Sequence, residues 1–342
     1  MHVHPKVVVV VLNWNSWPHT LRCLDSLLQL DYPNYEVTIV DNGSTDVSVE
    51  KITNWFSRNG IGYDFLDCFA CSRDVRHQAV PCDLSSHHRF ALLETGKNLG
   101  YTGGNNIGVR YALERGPDYV LILNEDTKVA KDFLSRMVDT AEKDPKIGLV
   151  GCKVCALEDP SRVMYQGGNL NFWLGIYGSF RNHQEECHGE IDVNFVPGCA
   201  VLVRRAVLER AGLLEEGYFL YGEDVEFSYR IRKAGWRVTV NRDAVVWHRD
   251  VPERGKRSLG YYYYGGRNIL YFISRHLHGL QKASCLFFFS GGRLLQVLHW
   301  LFTGKYDYAK ATLSGVRDYF RGVTGPKQGS LARCDERVRV AG

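Results

Sequence analysis

No stretch of this sequence stays apolar for the roughly 20 residues that a membrane-spanning helix needs. The densest apolar run, 285–289, is followed at once by Ser290, Gly291, Gly292 and Arg293, so its pattern predicts no span. No secretory leader is expected from these residues, because the chain enters a strand-like run at Lys6 with no small-residue cleavage site before it. Neither a lysine-bearing phosphate loop nor G-x-G-x-x-G follows that first strand, where the residues read NWNSWPH. This excludes a triphosphate cradle and a nicotinamide dinucleotide fingerprint at that position. Excess charge of one sign is scarce too. A net charge of +4 is too small to imply nucleic acid, although Arg242, Arg249, Arg254, Lys256, Arg257 and Arg267 gather late in the chain. Ten cysteines in 342 residues are too sparse for a disulfide scaffold. A reduced, cytoplasmic protein is the default expectation.

What is present is ordinary globular material. With 45% hydrophobic and 23% charged residues, the chain can build one large α/β domain with an appendage, or two domains. Residues 6–12, KVVVVVL, form a β-branched run of the kind buried in parallel sheets. Leu21, Leu24, Leu27 and Leu28 follow with helical spacing, and residues 35–40, YEVTIV, give a second strand that ends in DNGSTD. Two polar-tipped strands with a helix between them describe a βαβ unit. From 59 to 92 no period survives, and this polar segment, rich in Cys and His, reads as an insertion. Within it Cys68, Cys71 and Cys82, near His77, His87 and His88, carry the donors of a structural zinc clip, although their spacing matches no common zinc class. The pair Cys152/Cys155 lies on an expected strand whose side chains alternate faces, which argues against a shared metal. Cys23, Cys199 and Cys285 have apolar neighbours and read as buried thiols.

Residues 119–129, YVLILNEDTKV, carry the chemistry. A buried strand runs into Asn124, Glu125 and Asp126, and in open α/β sheets ligands bind at that end of a strand. These oxygen donors suit Mg²⁺ or Mn²⁺, while a helix cap at Asp126 accounts for the same residues. Residues 94–108, ETGKNLGYTGGNNIG, form a Gly-rich stretch. It brings backbone close to a phosphate or ribose, or serves as a plain Asn-capped turn. Residues 193–203 read as a strand bent at Pro197 and Gly198. Glu223 and Asp224 open a helix whose N-terminus favours their ionised form, with capping as the alternative role and Glu226 as a competing base. Two short strands, 236–240 and 244–247, lead to His248. Residues 260–272 and 280–302 are aromatic and apolar with basic flanks. They fit amphipathic helices on a membrane surface, or helices packed against the main domain.

Convergence of the polar strand tips gives a crevice lined by Asp41, Asn98, Gly103, Gly104, Asn124 and Asp126, with Glu223, Asp224 and His248 approaching it. The parts on offer are a cation to offset a diphosphate, a carboxylate to take a proton and an imidazole as a further ligand. Displacement of a nucleoside diphosphate by a hydroxyl needs these parts.

The ordered set VVVVLNWN, IVDNGSTD, NLGYTGGNN, LILNEDT, PGCAVLVRR, FLYGEDVEFSYRIRKAGW and VVWH resembles the family-2 inverting glycosyltransferases. Within that family it is most similar to the rhamnosyltransferase-like enzymes of bacterial polysaccharide synthesis. The likeness covers roughly residues 6 to 250 outside the insertion. It implies an α/β fold of the GT-A (nucleotide-diphospho-sugar transferase) type over 1–255, a mostly parallel sheet with flanking helices, interrupted at 59–92. A C-terminal amphipathic helical region over 256–342 would follow. The resemblance further implies that Asp41 meets the base or ribose with Asn13 and Asn15 nearby, and that Asn98, Gly103, Gly104, Asn105 and Asn124 shape the ribose and diphosphate pocket. Asp126 would be the principal ligand of Mg²⁺ or Mn²⁺ and His248 would complete that site. Asp224 would be the general base, supported by Glu223, and Gly198 and Cys199 would line the acceptor side. Asn124 departs from the strict two-aspartate form of the metal motif. The implied partners are a nucleoside diphosphate sugar, rhamnose first, and a saccharide or lipid-linked acceptor at the inner face of the cell membrane, with no nucleic acid.

Two other classes remain to be weighed. A metal-dependent nucleotidyltransferase would carry a basic Gly-rich loop after the first strand, and NWNSWPH is not one. A catalytically silent subunit that binds sugar nucleotide or glycan would have no need to keep Asp126, Asp224 and His248 together.

Overall fold

Five consecutive valines make the first strand, and all five are fully buried. β-branched side chains suit the pleated backbone, and burying each contributes on the order of 1.5–3 kcal/mol. In the computed structural model, residues 4–68, 88–175, 187–249 and 257–327 are described, and the chain forms two units.

The first unit takes residues 1–168, 180–214 and 227–250. In chain order its elements are β1 (Val7–Asn13), α1 (Trp17–Leu27), β2 (Tyr35–Asp41), α2 (Ser48–Arg58), β3 (Tyr63–Asp67) and β4 (Phe90–Glu94). Then come α3 (Gly100–Glu114), β5 (Tyr119–Asn124), β6 (Thr127–Val129), α4 (Phe133–Glu142), β7 (Ile147–Ala156) and β8 (Val163–Tyr165). β9 (Glu190–Asp192), β10 (Ala200–Arg204), α5 (Arg205–Ala211), most of α6 (Glu223–Lys233) and β11 (Arg237–His248) complete it. The strands share one mixed sheet, ordered β3-β4-β2-β1-β5-β10-β7-β11-β6. β3, β4, β2, β1 and β5 are parallel, whereas β10 runs antiparallel to both its neighbours.

Register places the strand ends side by side. Asn13 pairs with Asp41, Asp41 with Glu94, and Leu12 with Asn124. Three sequence expectations change here. β3 lies inside 59–92 and β4 begins at its end, so the expected insertion holds one regular strand and runs into a second, both too short to show a period. The two short strands expected before His248 are one, β11, with its irregularity between Asn241 and Val245. The Gly-rich stretch is helical from Gly100 rather than a loop. A Cβ on Gly104 would overlap Leu12, and one on Gly108 would overlap Val10 and sit 2.8 Å from Val40. Packing of α3 onto the sheet, not approach of a ligand, therefore requires glycine at 104 and 108.

The second unit takes residues 169–179, 215–226 and 251–342, so it draws in two stretches beyond the expected 256–342. Its helices are α7 (Leu259–His276), α8 (Gly279–Phe302) and α9 (Tyr306–Phe320), around a core of Tyr262, Val297, Trp300, Ala309 and Ala311. Ser258 caps α7 by accepting a hydrogen bond from Tyr261 N. α7 and α9 touch backbone to backbone: a Cβ on Gly266 would lie 3.0 Å from Thr312 O, and one on Gly315 would overlap Tyr263 O. The polar interruption at 290–293, expected to rule out a span, does not do so. α8 runs unbroken for 24 residues, long and apolar enough by length and composition to cross a bilayer, because a helix tolerates Gly291 and Gly292 inside a strongly apolar run.

Candidate active site

At the carboxyl ends of β1 and β2, polar side chains form a closed network. Asn13 Nδ2 donates to Asp41 Oδ2 (2.7 Å) and Ser44 Oγ (3.1 Å), and Asn13 Oδ1 accepts from Thr20 Oγ1 (2.7 Å). Asp41 Oδ1 accepts from Ser44 N (2.9 Å), so both carboxylate oxygens are held. Asn15, in left-handed backbone at φ 50°, accepts from Thr45 N (2.7 Å) and Asp46 N (3.2 Å). These bonds shape 41–46 into a fixed turn above the sheet. Asn42 ties that turn to α3, since its Nδ2 donates to Asn98 Oδ1 (3.2 Å) and its Oδ1 accepts from Leu99 N (3.0 Å). Gly103 packs on Leu99, and the buried Asn105 donates to Tyr101 O (2.9 Å).

Asp126 and His248 are 122 residues apart and meet through the sheet. β6 pairs antiparallel with β11 in a register that puts Thr127 opposite His248. His248 Nε2 then lies 3.2 Å from Asp126 Oδ1 and 3.5 Å from Asn124 Nδ2. Arg249 N donates to Asp126 O (3.1 Å), which closes the ladder. His248 Nδ1 lies 2.8 Å from Arg249 O, and a carbonyl only accepts, so Nδ1 carries a proton. Nε2 facing a carboxylate oxygen at 3.2 Å then requires positive charge between them, either a proton or a cation. Burial pulls the His248 pKa down, but the Asp126 charge and hydrogen bond outweigh it and leave it raised. This donor pair fits a divalent cation. Among the described residues no cluster of three or more His, Cys, Asp or Glu donors exists. Mg²⁺-type sites meet that shortage by taking further oxygens from substrate phosphates. Gly198 and Cys199 adjoin the same strand end, with Cys199 O accepting from Asn124 N (2.9 Å) and Gly198 O from Tyr101 OH (2.5 Å).

Glu223 and Asp224 lie in the second unit, in the first turn of α6. The backbone before them is strained. Phe219 sits at φ 64°, ψ −56°, and Leu220 N donates to Tyr218 O (2.7 Å), which makes a γ-turn. Tyr221 and Gly222 follow at φ 65° and 92°. Non-glycine residues in such regions cost on the order of 1–3 kcal/mol each. Glu223 is buried, and its Oε2 has no hydrogen-bond partner among the described residues. Burial, helped by the neighbouring Asp224 charge, pushes its pKa up to about 8. Burial thus favours the protonated form of Glu223 at neutral pH. Glu226, the competing base, is buried against His276 at 3.3 Å.

The first unit thus places Asn13, Asn15, Asp41, Asn98, Asn124, Asp126 and His248 at strand ends or in the turns that follow them. Glu94, which the sequence pattern does not single out, lies beside Asp41 in register; burial and the Asp41 charge raise its pKa. Strand register, which the sequence does not display, is the signal that finds it. Cys68 is buried and Cys71 and Cys82 lie outside the described residues. The thiols of Cys23, Cys152 and Cys285 are buried and pushed up in pKa by desolvation, whereas Cys199 is only half-buried.

Fold and site together define a GT-A glycosyltransferase that uses a nucleotide-sugar donor. A mannosyltransferase from Pyrobaculum calidifontis, solved with GDP-Man and Mn²⁺, superposes with a TM-score of 0.55 at 18% identity over 99% of this chain and 80% of that one. GalNAc-T7, solved with UDP, GalNAc and Mn²⁺, gives 0.56 at 14% identity over 82% and 52%. The chain belongs to the family described as "glycosyltransferase like family 2", whose profile matches residues 73–259, and a second profile, "glycosyl transferase family 2", matches residues 8–66. Among curated relatives, the low-salt glycan biosynthesis hexosyltransferase Agl10 of Haloferax volcanii is 24% identical over 81% of this chain and 89% of its own length. The N-acetylglucosaminyl-diphospho-decaprenol L-rhamnosyltransferase of Mycobacterium tuberculosis is 25% identical over 72% and 77%.

Proposed function

We propose that the enzyme moves one sugar, rhamnose before other hexoses, from a nucleoside diphosphate sugar to a hydroxyl of a saccharide or lipid-linked saccharide, with inversion at the anomeric carbon. The observation that carries this reading is the pairing of β6 with β11, which sets Asp126 against His248 beside Asn124. Asp126 and His248 would hold Mg²⁺ or Mn²⁺, which when bound offsets charge on the departing diphosphate. Asn13, Asn15, Asp41 and Asn98 fix the turn and helix start that receive the nucleoside. Asp224, next to a Glu223 whose burial favours its protonated form, takes the proton of the acceptor hydroxyl. The acceptor oxygen forms its bond to the anomeric carbon as the sugar–phosphate bond breaks and its electron pair leaves with the diphosphate. One displacement inverts that centre.

The relatives named for glycan assembly and for a decaprenol-linked acceptor support an envelope glycan as product. A membrane location draws support from α8, whose exposed face carries Leu280, Phe287, Leu294, Leu295, Leu298 and Phe302. Its opposite side buries Cys285, Phe289, Val297 and Trp300. α8 contains no acidic residue, and Lys305, Lys310 and Arg321 are exposed beside or after it. A helix half packed, half exposed and flanked by cations suits the interface of an anionic leaflet. The deciding experiment incubates the full chain with Mn²⁺, a panel of nucleoside diphosphate sugars and a lipid-linked N-acetylglucosamine acceptor. The reading expects a donor-specific, Mn²⁺-dependent product with inverted linkage. Donor binding without transfer or hydrolysis on any acceptor would instead support a silent binding subunit.

A further inference from the structure

With positive φ at Phe219, Tyr221 and Gly222, the carbonyls of Tyr218, Leu220 and Tyr221 point toward one place, and α7 fills that place. Asn268 Nδ2 donates to Tyr218 O (3.0 Å), Leu220 O (2.9 Å) and Tyr221 O (2.6 Å). Arg267 Nη2 donates to Gly217 O (3.2 Å) and Tyr218 O (3.0 Å), its Nη1 to Gly325 O (2.6 Å), and its Nε to Asn268 Oδ1 (2.9 Å). Both side chains are almost wholly buried, at 2% and 1% exposure, and α9 pins their helix through the close contacts at Gly266 and Gly315. Strained backbone persists only where its surroundings over-determine it, and here the polar part of those surroundings is two adjacent side chains of α7, beside ring contacts from Tyr261, Tyr264 and Tyr271 of the same helix. The amide of Asn268 is shared among three carbonyls, so relaxing the turn would break bonds that it makes.

We infer that Arg267 and Asn268 are positioning residues: they hold 218–222 in its strained shape and thereby fix the direction in which the Asp224 carboxylate points. Neither needs to touch substrate. The inference rests on Asp224 being the base, and the test separates the two claims. Full-length Asn268→Asp, which keeps the shape and the Arg267 contact but loses the donors, is compared with Asn268→Leu, Arg267→Lys and Asp224→Asn. Three things are measured: amide hydrogen exchange by mass spectrometry, kcat and donor KM, and thermal melting.

Local exchange over 217–222 should rise by roughly tenfold or more while β1 and β5 stay protected, as expected of local rather than global opening. kcat should fall roughly 10- to 100-fold, the scale of a small misplacement of a catalytic group, with donor KM within about twofold. Unchanged exchange at 217–222 overturns the inference. So does exchange that rises equally across the whole chain, or a loosened loop with kcat intact while Asp224→Asn is dead. Should Asp224→Asn keep its turnover, the base assignment fails by itself. Arg267 and Asn268 are then judged on exchange alone, local loosening upholding the clamp and no change rejecting it. If Asn268→Leu does not fold, Asn268→Asp and Arg267→Lys decide.

Discussion

Two adjacent carboxylates in one helical turn cannot both be charged cheaply when one of them is buried, and Glu223 is the buried one. Its pKa is raised from 4.5 to about 8, so the folded chain binds a proton that the unfolded chain has released. The stability tied to that proton is fully present below about pH 4.5 and is lost as pH rises through about 8. Glu223→Gln should flatten that decline in urea midpoints measured from pH 5 to 9, while transfer at pH 7 survives. Asp224→Asn should lower kcat by roughly 10²- to 10⁴-fold, the usual worth of a general base, with nucleotide affinity by calorimetry nearly unchanged. For the cation pair, Asp126→Ala should abolish the Mn²⁺-dependent part of nucleoside diphosphate binding in the same calorimeter. Residue types alone single out these positions as acidic residues after apolar runs, while their assigned roles come from the resemblance. That Asp126 meets His248 through β6 and β11 is a matter of register, because nothing local in 119–129 points 122 residues ahead.

Among the elements, the long buried strands and their order around the first βαβ unit could be read from periodicity. β6 could not, since three residues carry no period and its pairing with β11 is long-range. α3 was misread because glycine usually punctuates, whereas here Gly104 and Gly108 are bare patches on which the helix meets Leu12, Val10 and Val40. Gly108→Val should therefore destabilise the fold by about 1–3 kcal/mol through overpacking, read as a lowered urea midpoint, despite valine's better helix propensity. For α8 the sequence pattern pointed to amphipathic helix, but the Ser-Gly-Gly-Arg interruption hid that one apolar helix runs from Gly279 to Phe302, with Cys285 and Phe289 buried before that interruption and Val297 and Trp300 after it.

For the whole molecule, a helix with Phe287 75%, Leu295 70% and Phe302 96% exposed predicts adhesion to lipid. Phe287→Lys combined with Leu295→Lys should cut co-sedimentation with anionic vesicles by roughly tenfold or more, given the apolar area removed from the interface, while turnover of a water-soluble acceptor is retained. The sequence placed a boundary near 255/256, because amphipathic tails look detachable. The second unit instead stitches 169–179 and 215–226 to the helices after 251. Cutting the chain before α7 is therefore closed as an engineering route to a smaller catalyst: it would remove Arg267 and Asn268 from beneath the acidic turn. Grafting a tail from a relative succeeds only if all three stretches travel together as one cassette.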